Sequence, residues 1–295
     1  MFMKGQIVEH KVFDFRVAEF VGDFDHGSPD WHEARKGAVG GSQVGTILGL
    51  NPWESAITCF HKMRGEIPSD IAPSMSMKIG TVLETPILQL FEAEHPELQV
   101  FTTGTYRRKG LPRHQANVDG LFVDADGVGI VEVKFSSDYW SEPPASYVAQ
   151  VRWYMYVLGL DRAVIVALAG SSYREFWIDR DPFVESVMFS RVEEFLRCVD
   201  NDLRPDWDGS ESTYQTMRQL NQDVVARDVE LGAMGSALVA AQEAFSTCEN
   251  LLNEMKSKVL DLMQDAKNGL VDGERICYRQ NTKAGSPFLK IMKGK

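Results

Sequence analysis

Apolar residues recur along the chain with different periods, and the period predicts whether a segment is a helix or a strand. Residues 78–94 carry apolar side chains three and four positions apart, which predicts a helix with one buried face. Residues 31–55 predict a helix, a glycine-rich turn and a second helix that begins near Ser42, because serine is a favoured N-cap. Asn51 and Pro52 end this second helix.

The middle of the chain changes to the alternation typical of strands. Residues 116–123 and 128–135 predict two short strands, joined by the turn sequence Asp-Ala-Asp-Gly. The pattern then predicts a helix, two further strands and an amphipathic helix, at residues 146–158, 163–168, 174–178 and 182–199. Helices and strands that alternate around one hairpin predict an α/β (α+β) fold, with a central mixed sheet flanked by helices.

The C-terminal part follows a heptad pattern. Its apolar positions alternate steps of three and four, which predicts a long helix that packs against a partner helix. These positions are Leu231, Met234, Leu238, Ala241, Phe245, Cys248, Leu252, Met255, Val259 and Leu262. Residues 275–280 and 287–292 predict a small terminal hairpin. Proline and glycine between residues 203 and 209 indicate a boundary, so we expect a core at residues 1–205 and an appendage at residues 206–295.

The composition is that of an ordinary globular protein, with 44% hydrophobic and 25% charged residues in a chain of 295. The longest apolar run is too short to cross a membrane, and the first residues do not resemble a secretion signal. We therefore expect a cytoplasmic protein without membrane association. The four cysteines are far apart and form no CxxC pair, which argues against structural zinc and iron–sulfur sites.

The formal net charge of -11 argues against a protein that coats nucleic acid without sequence preference. One segment departs from this balance, because residues 100–115 contain four basic side chains and no acidic one. They are Arg107, Arg108, Lys109 and Arg113. A track for a polyanion and a solvated loop are both interpretations of this segment, and both stay open at this point.

Candidate chemistry is concentrated in the string VDGLFVDADGVGIVEVKF. Asp119 lies on the first predicted strand, and Glu132 and Lys134 lie two residues apart on the second, so they share one face. Two carboxylates are hard oxygen ligands suited to Mg²⁺ or Mn²⁺, and a lysine beside them can orient and help deprotonate an attacking water. Charged pairs on exposed strands are common, but the apolar residues around this pair are unusual for a surface strand.

Asp119 followed by Glu-Val-Lys at residues 132–134 resembles the PD-(D/E)xK nuclease signature, here without the proline before the aspartate. More specifically, the chain resembles the YqaJ-like viral recombinases, the family of lambda exonuclease. The resemblance covers residues 31–168, about half of the chain. It rests on the segments WHEARKGAVGGSQVGTILGLNPW, GTVLETPILQLF, NVDGLF with GIVEVKF, and YVAQVRWYMYVLGL.

The resemblance implies a role for each matching residue. Asp119, Glu132 and the carbonyl of Val133 would hold the metal, with Glu84 joining directly or through water, and Lys134 would activate the water. Gln150, four residues before Tyr154, would contact this network. Arg35 and Ser42 would hold a 5′-terminal phosphate, with Asn117 beside them. Without the family, Glu84 and Arg35 would be exposed helix residues, Gln150 an exposed helix position and Ser42 only an N-cap.

The family further implies a Mg²⁺-dependent exonuclease, with Mn²⁺ able to substitute, that degrades linear double-stranded DNA from a 5′ end and leaves a 3′ single-stranded tail. It implies a phage single-strand annealing protein as partner, a ring-shaped homo-oligomer and the cytoplasm of a bacterial host cell. CRISPR adaptation nucleases share the core but carry a cysteine cluster that is absent here. Two alternatives remain: a structure-specific or restriction-type endonuclease, and a non-catalytic DNA-end binding or scaffold protein.

Overall fold

The computed structural model describes residues 8–25, 27–69, 74–169, 172–281 and 285–292. The chain divides into one unit up to Asp223 and another from Val224 onward. The first unit contains, in chain order, β1 (Glu9–His10), β2 (Ala18–Gly22), α1 (Pro29–Arg35), α2 (Gly41–Ile47), α3 (Ala56–Met63), α4 (Met75–Glu94), β3 (Gln99–Thr102), β4 (Thr105–Arg108), β5 (Leu111–Asn117), β6 (Gly120–Asp124), β7 (Gly127–Ser136), α5 (Ala145–Leu158), β8 (Arg162–Ala169), β9 (Ser172–Asp179), α6 (Pro182–Asp200) and α7 (Glu211–Leu220). The second contains α8 (Ala233–Met263), β10 (Asn268–Val271), β11 (Glu274–Gln280) and β12 (Phe288–Ile291).

A mixed sheet forms the centre of the first unit, with strand order β1-β3-β6-β7-β8-β9. The β6–β7 hairpin is antiparallel and turns where the sequence predicted. Strands β7 and β8 are parallel neighbours, and α5 connects them in the sequence. Val131 and Val133 point to one face of the sheet and pack with α4, and Ile130 points to the other and packs with α5. The predicted fold class, a mixed sheet flanked by helices, is confirmed.

One predicted strand is in fact two. The sequence placed a single strand at residues 116–123, but β5 ends at Asn117 in a second, three-stranded sheet with β2 and β4. The next strand, β6, begins at Gly120 and belongs to the central sheet. The chain changes sheets between them because Asn117 pairs with β4 while Gly120 pairs with β7. The alternation of apolar and polar residues continues through the crossing, so the sequence pattern did not indicate the change of sheet.

Helix α7 belongs to the first unit. Thr216 exchanges a buried hydroxyl contact of 2.8 Å with Thr58 of α3, and Thr213 donates to Ser55 at 2.7 Å. The boundary expected between residues 205 and 206 therefore lies inside the first unit, and the division follows Asp223 instead. Side-chain contacts more than 150 residues apart in sequence hold this segment to the core.

In its described residues, the second unit contains one long helix and a small sheet of order β10-β11-β12. The predicted terminal hairpin is β11 with β12, and β10 adds a strand that the sequence did not indicate. The predicted heptad positions lie along α8, except Leu231, which precedes it. Leu238 is 66% exposed and Phe245 is 63% exposed, so the apolar seam is uncovered in the single chain. Among the helices that the structure describes, none combines the length and apolar character that a membrane crossing needs.

Candidate active site

Asp119 lies between the two sheets, directly before β6, and not on a strand as the sequence predicted. Its Oδ2 accepts a hydrogen bond of 2.7 Å from the backbone N–H of Val133 on β7. This bond crosses the hairpin and fixes the carboxylate beside the strand that carries Glu132 and Lys134. The crossing between sheets thus places Asp119 directly before β6, an interior strand of the central sheet.

Glu132 is the centre of the site and is only 1% exposed. Its Oε1 accepts hydrogen bonds from Lys134 Nζ and from Gln150 Nε2, the latter at 2.5 Å. The same Nε2 also lies 3.0 Å from the hydroxyl of Tyr154, one turn further along α5. The α5 face of β7 and the first turns of α5 therefore converge on one carboxylate.

The carboxylates form one electrostatic cluster. The pKa of Glu132 is raised to about 8, first by burial and then by the charge of Asp119, against the opposing Lys134 ammonium. Burial and Asp119 also raise the pKa of Glu84, on α4, to about 7. Burial raises the pKa of Asp119 despite Lys134 and the Val133 N–H. Burial lowers the pKa of Lys134, but the charges of Glu132 and Asp119 have the larger effect, so this pKa is raised overall. The cluster has more negative charge than its one lysine compensates.

The donor set fits a hard divalent cation. Oε2 of Glu132 is buried and has no hydrogen-bond partner, which is costly for an anionic oxygen. Among the described residues, no three His, Cys, Asp or Glu side chains are grouped as a complete metal cage. Mg²⁺ does not need one, because it retains several waters and binds through one or two carboxylates. Asp119 and Glu132 would supply these carboxylates, while the roles of Glu84 and the Val133 carbonyl stay predictions.

A small cleft with a volume of about 10 Å³ is lined in part by Tyr154. Its lining includes Arg35 and Asn117, both implicated by the resemblance. Arg35 stacks on Trp31, with its guanidinium carbon 4.3 Å from the ring centroid. Burial lowers the pKa of Arg35, against a raising effect of Tyr154. Within the described ranges no carboxylate pairs with Arg35, so the guanidinium is available to an anion.

Glycine brings the cleft close to the carboxylates. A Cβ at Gly41 would lie 2.6 Å from Gln150 Cγ and 2.6 Å from Tyr154 Cε1, so only glycine fits between α2 and α5 here. Tyr154 lines the cleft with one edge and contacts Gln150 with its hydroxyl. Arg35, Tyr154, Gln150 and Glu132 therefore form a continuous series from the cleft to the candidate metal site.

Ser42 differs from its expected place. The N-cap of helix α2 is Gly40, two residues before Ser42, and the Gln43 side chain accepts from the Gly40 N–H at 3.1 Å. The Ser42 hydroxyl donates to the same Gln43 oxygen at 3.2 Å and is not part of the cleft lining. The expected N-cap role is therefore wrong, because the glutamine side chain performs the capping. A phosphate contact by Ser42 stays a prediction.

Each of the four basic residues near residue 110 has an intramolecular contact. Arg107 pairs with Glu19, Arg108 donates to the Tyr156 carbonyl, Lys109 donates to the Phe15 carbonyl at 3.0 Å, and Arg113 binds Asp200 at 2.7 Å. These contacts orient the side chains around β4 and β5. Their role as a DNA track stays a prediction.

Three further residues near the site were missed from the sequence. Gln43 and Gln115 line the cleft, and Tyr147 lies with its ring centroid 4.9 Å from Lys134 Nζ. The spacing of Gly40 and Gln43 is that of a capping box, which could have indicated Gln43. No local signal distinguishes Gln115 or Tyr147, since their positions depend on the packing of α5.

The chain is similar to known proteins both in sequence and in fold. Residues 30–161 match the model of the YqaJ-like viral recombinase domain. A protein of Bacillus subtilis (strain 168), named uncharacterized protein YqaJ, is 25% identical over an alignment of 272 residues, and the alignment covers 85% of this chain and 82% of that protein.

Solved structures share the fold. The alkaline exonuclease LHK-Exo of Laribacter hongkongensis matches with a TM-score of 0.51 and 18% identity over 66% of this chain and 100% of its own. A crystal structure of LHK-Exo in complex with dAMP matches with a TM-score of 0.52 and 20% identity over 60% of this chain and 94% of its own. At these identities the likeness establishes a common fold alone.

Proposed function

We propose that the protein is a Mg²⁺-dependent exonuclease acting on linear double-stranded DNA, because residues 30–161 match the YqaJ-like viral recombinase domain that the sequence resemblance predicted. The family match and the exonuclease fold support a nuclease. The observation that carries the proposal is the buried carboxylate of Glu132, which is bonded to Lys134 and has one oxygen without a partner. A glutamate–lysine pair with only a structural role on an exposed strand would face water and would not be buried.

The proposed chemistry is hydrolysis of a phosphodiester bond. A divalent cation held by Asp119 and Glu132 would lower the pKa of a water and neutralise charge on the phosphate; Mn²⁺ is expected to substitute for Mg²⁺. Lys134 orients that water, and its bond to Glu132 holds the ammonium at the edge of the carboxylates. Gln150 fixes the second hydrogen bond to Glu132, so the carboxylate keeps one orientation during turnover.

The end preference is proposed from Arg35. A mostly buried guanidinium without a carboxylate partner among the described residues suits a dianionic terminal phosphate, which it can bind through two parallel hydrogen bonds. The short connection through Tyr154 and Gln150 to Glu132 supports a phosphate at the cleft and a scissile bond at the carboxylates. The polarity comes from the family resemblance, and on that basis we propose cleavage from a 5′ end, which leaves a 3′ single-stranded tail.

The proposed partners follow from the same reaction. A 3′ tail is the substrate of a single-strand annealing protein, and we propose a phage protein of this kind as partner. We also propose a homo-oligomer, supported by the uncovered apolar seam of α8. A closed cyclic oligomer that encloses DNA would stay attached through many cuts.

A structure-specific or restriction-type endonuclease would use the same carboxylates, and Arg35 is the observation that favours the end-directed enzyme. A non-catalytic DNA-end binding protein would have no use for the combination of Asp119, Glu132 and Lys134.

The test uses linear duplex DNA labelled separately at each end, with Mg²⁺ or EDTA, beside a covalently closed circle. We expect Mg²⁺-dependent release of mononucleotides from 5′-phosphorylated ends, with the circle intact. Cutting of the circle would exclude the end-directed mechanism and leave the metal chemistry in place. No cleavage with Mg²⁺ or Mn²⁺ would favour the binding protein.

A further inference from the structure

The segment that follows β7 carries two adjacent aromatic residues, Tyr139 and Trp140. It begins three residues after the site lysine, because β7 ends at Ser136. The segment then leads into α5, which begins at Ala145 and carries Gln150. Both ends of the segment are therefore attached to elements of the candidate active site.

Arg174 on β9 holds this segment over the site. The register of β7, β8 and β9 aligns Lys134 with Ala167 and Ala167 with Arg174, so the lysine and the arginine share one face of the sheet. Nη1 of Arg174 donates to the Tyr139 hydroxyl and, at 3.0 Å, to the Trp140 carbonyl. Its guanidinium carbon also lies 5.1 Å from the Tyr139 ring centroid. In the part of the chain that is described, no carboxylate pairs with Arg174.

The aromatic rings extend outward from the site lysine. Lys134 Nζ lies 4.9 Å from the centroid of Tyr147, and the Tyr147 ring lies 5.4 Å from that of Trp140. Tyr147 packs against the main hydrophobic core, whereas Tyr139 is 65% exposed. The aromatic rings thus extend from the buried carboxylate cluster to solvent. Lys134 lies at the inner end and Arg174 at the outer end.

The chemistry of this surface suits a nucleobase better than a phosphate. Planar bases stack on aromatic rings without regard to sequence, and neighbouring guanidinium groups strengthen such contacts. The segment itself carries Asp138 and Glu142, whose charges oppose a phosphate at this place. A purely structural segment would bury its aromatic rings, but Tyr139 faces water.

We propose that Tyr139 and Trp140 form a stacking site for one base of the DNA strand that is cut at the Glu132 cluster. The inference rests on the proposed function, because a scissile phosphate beside Lys134 brings the neighbouring base to these rings. Stacking there orients the nucleotide for attack and does not depend on the identity of the base. Arg174 is a positioning residue that holds the two rings in place.

The test combines a side-chain change with a base change. Wild type and Trp140→Ala are compared in single-turnover cleavage of 5′-phosphorylated duplexes that carry either a normal base or an abasic residue at the first, second or third position. We expect wild type to slow roughly fivefold to a hundredfold for an abasic residue at one position. Trp140→Ala should be slow on the normal duplex and show no further loss at that position, and Trp140→Phe should restore the base dependence.

The matched control is Trp177→Ala. Trp177 lies on β9 with its register partner Val164 on the α4 face of the sheet, so its loss should leave the abasic penalty unchanged. Thermal unfolding of each variant separates local from global effects. A full abasic penalty in Trp140→Ala would overturn the stacking site.

A binding measurement separates failure of this inference from failure of the proposed function. Duplexes with 2-aminopurine at each of the three positions are titrated with the full chain in EDTA, where no metal chemistry occurs. Quenching that depends on Trp140 supports the stacking site even if wild type cuts no DNA. Equal fluorescence with wild type and Trp140→Ala at all positions would overturn it, whether or not the protein is a nuclease.

Discussion

At the scale of single residues, the site depends on one buried ion pair. Lys134 and Glu132 have side chains that are 17% and 1% exposed, so their charges are screened little by water. Glu132 retains only the Gln150 hydrogen bond if the lysine is removed. Lys134 therefore has two roles: it takes part in the proposed chemistry, and it compensates part of the negative charge around Glu132.

Lys134→Ala should reduce the cleavage rate by about 10²–10⁴-fold, the usual contribution of a group that moves or orients a proton. DNA-end binding, measured by fluorescence anisotropy in Ca²⁺, should be largely retained. Arg162→Ala is the matched control, because Arg162 forms a half-buried pair with Asp124 at the turn end of the hairpin. It should lower stability without abolishing cleavage. Equal loss of binding in Lys134→Ala would show that the lysine mainly contacts phosphate.

Arg35→Ala should weaken the preference for 5′-phosphorylated over 5′-hydroxyl ends by roughly one to two orders of magnitude, because a charge-assisted contact is lost. Arg35→Lys should be intermediate, since an ammonium lacks the planar fork of the guanidinium. Rates on the two kinds of end provide the measurement, with Arg180→Ala as a control whose guanidinium pairs with Glu185. An unchanged preference would remove Arg35 from the phosphate site.

At the scale of elements, the site is built where α2 and α5 meet. The two helices approach closely enough at Gly41 that a side chain there would collide with Gln150 and Tyr154. Those two residues connect the cleft to Glu132. The glycine-rich turn of the sequence is thus explained by helix packing at the site.

Gly41→Ala should lower the free energy of unfolding by about 1–3 kcal/mol, as overpacking in a core does, and should reduce cleavage because Gln150 moves away from Glu132. Thermal unfolding and the single-turnover rate measure the two effects. Gly80→Ala is the control, because a Cβ at this helical glycine meets nothing within 4 Å. It should be neutral or stabilising, by up to about 1 kcal/mol. Wild-type stability and activity in Gly41→Ala would contradict the close packing.

At the scale of the whole molecule, the two units differ in how much apolar surface they cover. Met263 and Cys277 are the buried residues among those described from Val224 onward, while the seam of α8 is open. A unit of this size without a core of its own needs a partner surface. This is the physical reason for proposing an oligomer.

The double variant Leu238→Glu with Phe245→Glu should therefore convert an oligomer into smaller species, because two charges replace apolar seam positions. Light scattering after size-exclusion chromatography of the full chain measures the mass. Asn250→Glu, at a polar position of the same helix, should leave the mass unchanged. A monomeric wild-type chain would contradict the proposed association.

The sequence alone determined the features that depend on neighbouring residues. The two-residue period placed Glu132 and Lys134 on one face, the Asp-Ala-Asp-Gly turn paired β6 with β7, and the heptad steps predicted α8. The family resemblance supplied Gln150 and Arg35, and the fold class followed from the alternation of elements. Each of these signals is local, so no knowledge of distant contacts was needed.

Only the tertiary structure decided how distant segments meet. It placed Asp119 between two sheets, moved the unit boundary to Asp223 and connected Arg35 to Glu132 through Tyr154. It also aligned Arg174 with Lys134 across three strands. These contacts join residues from about 14 to more than 150 positions apart, and their geometry depends on how sheets and helices pack, which periodicity along one segment does not encode.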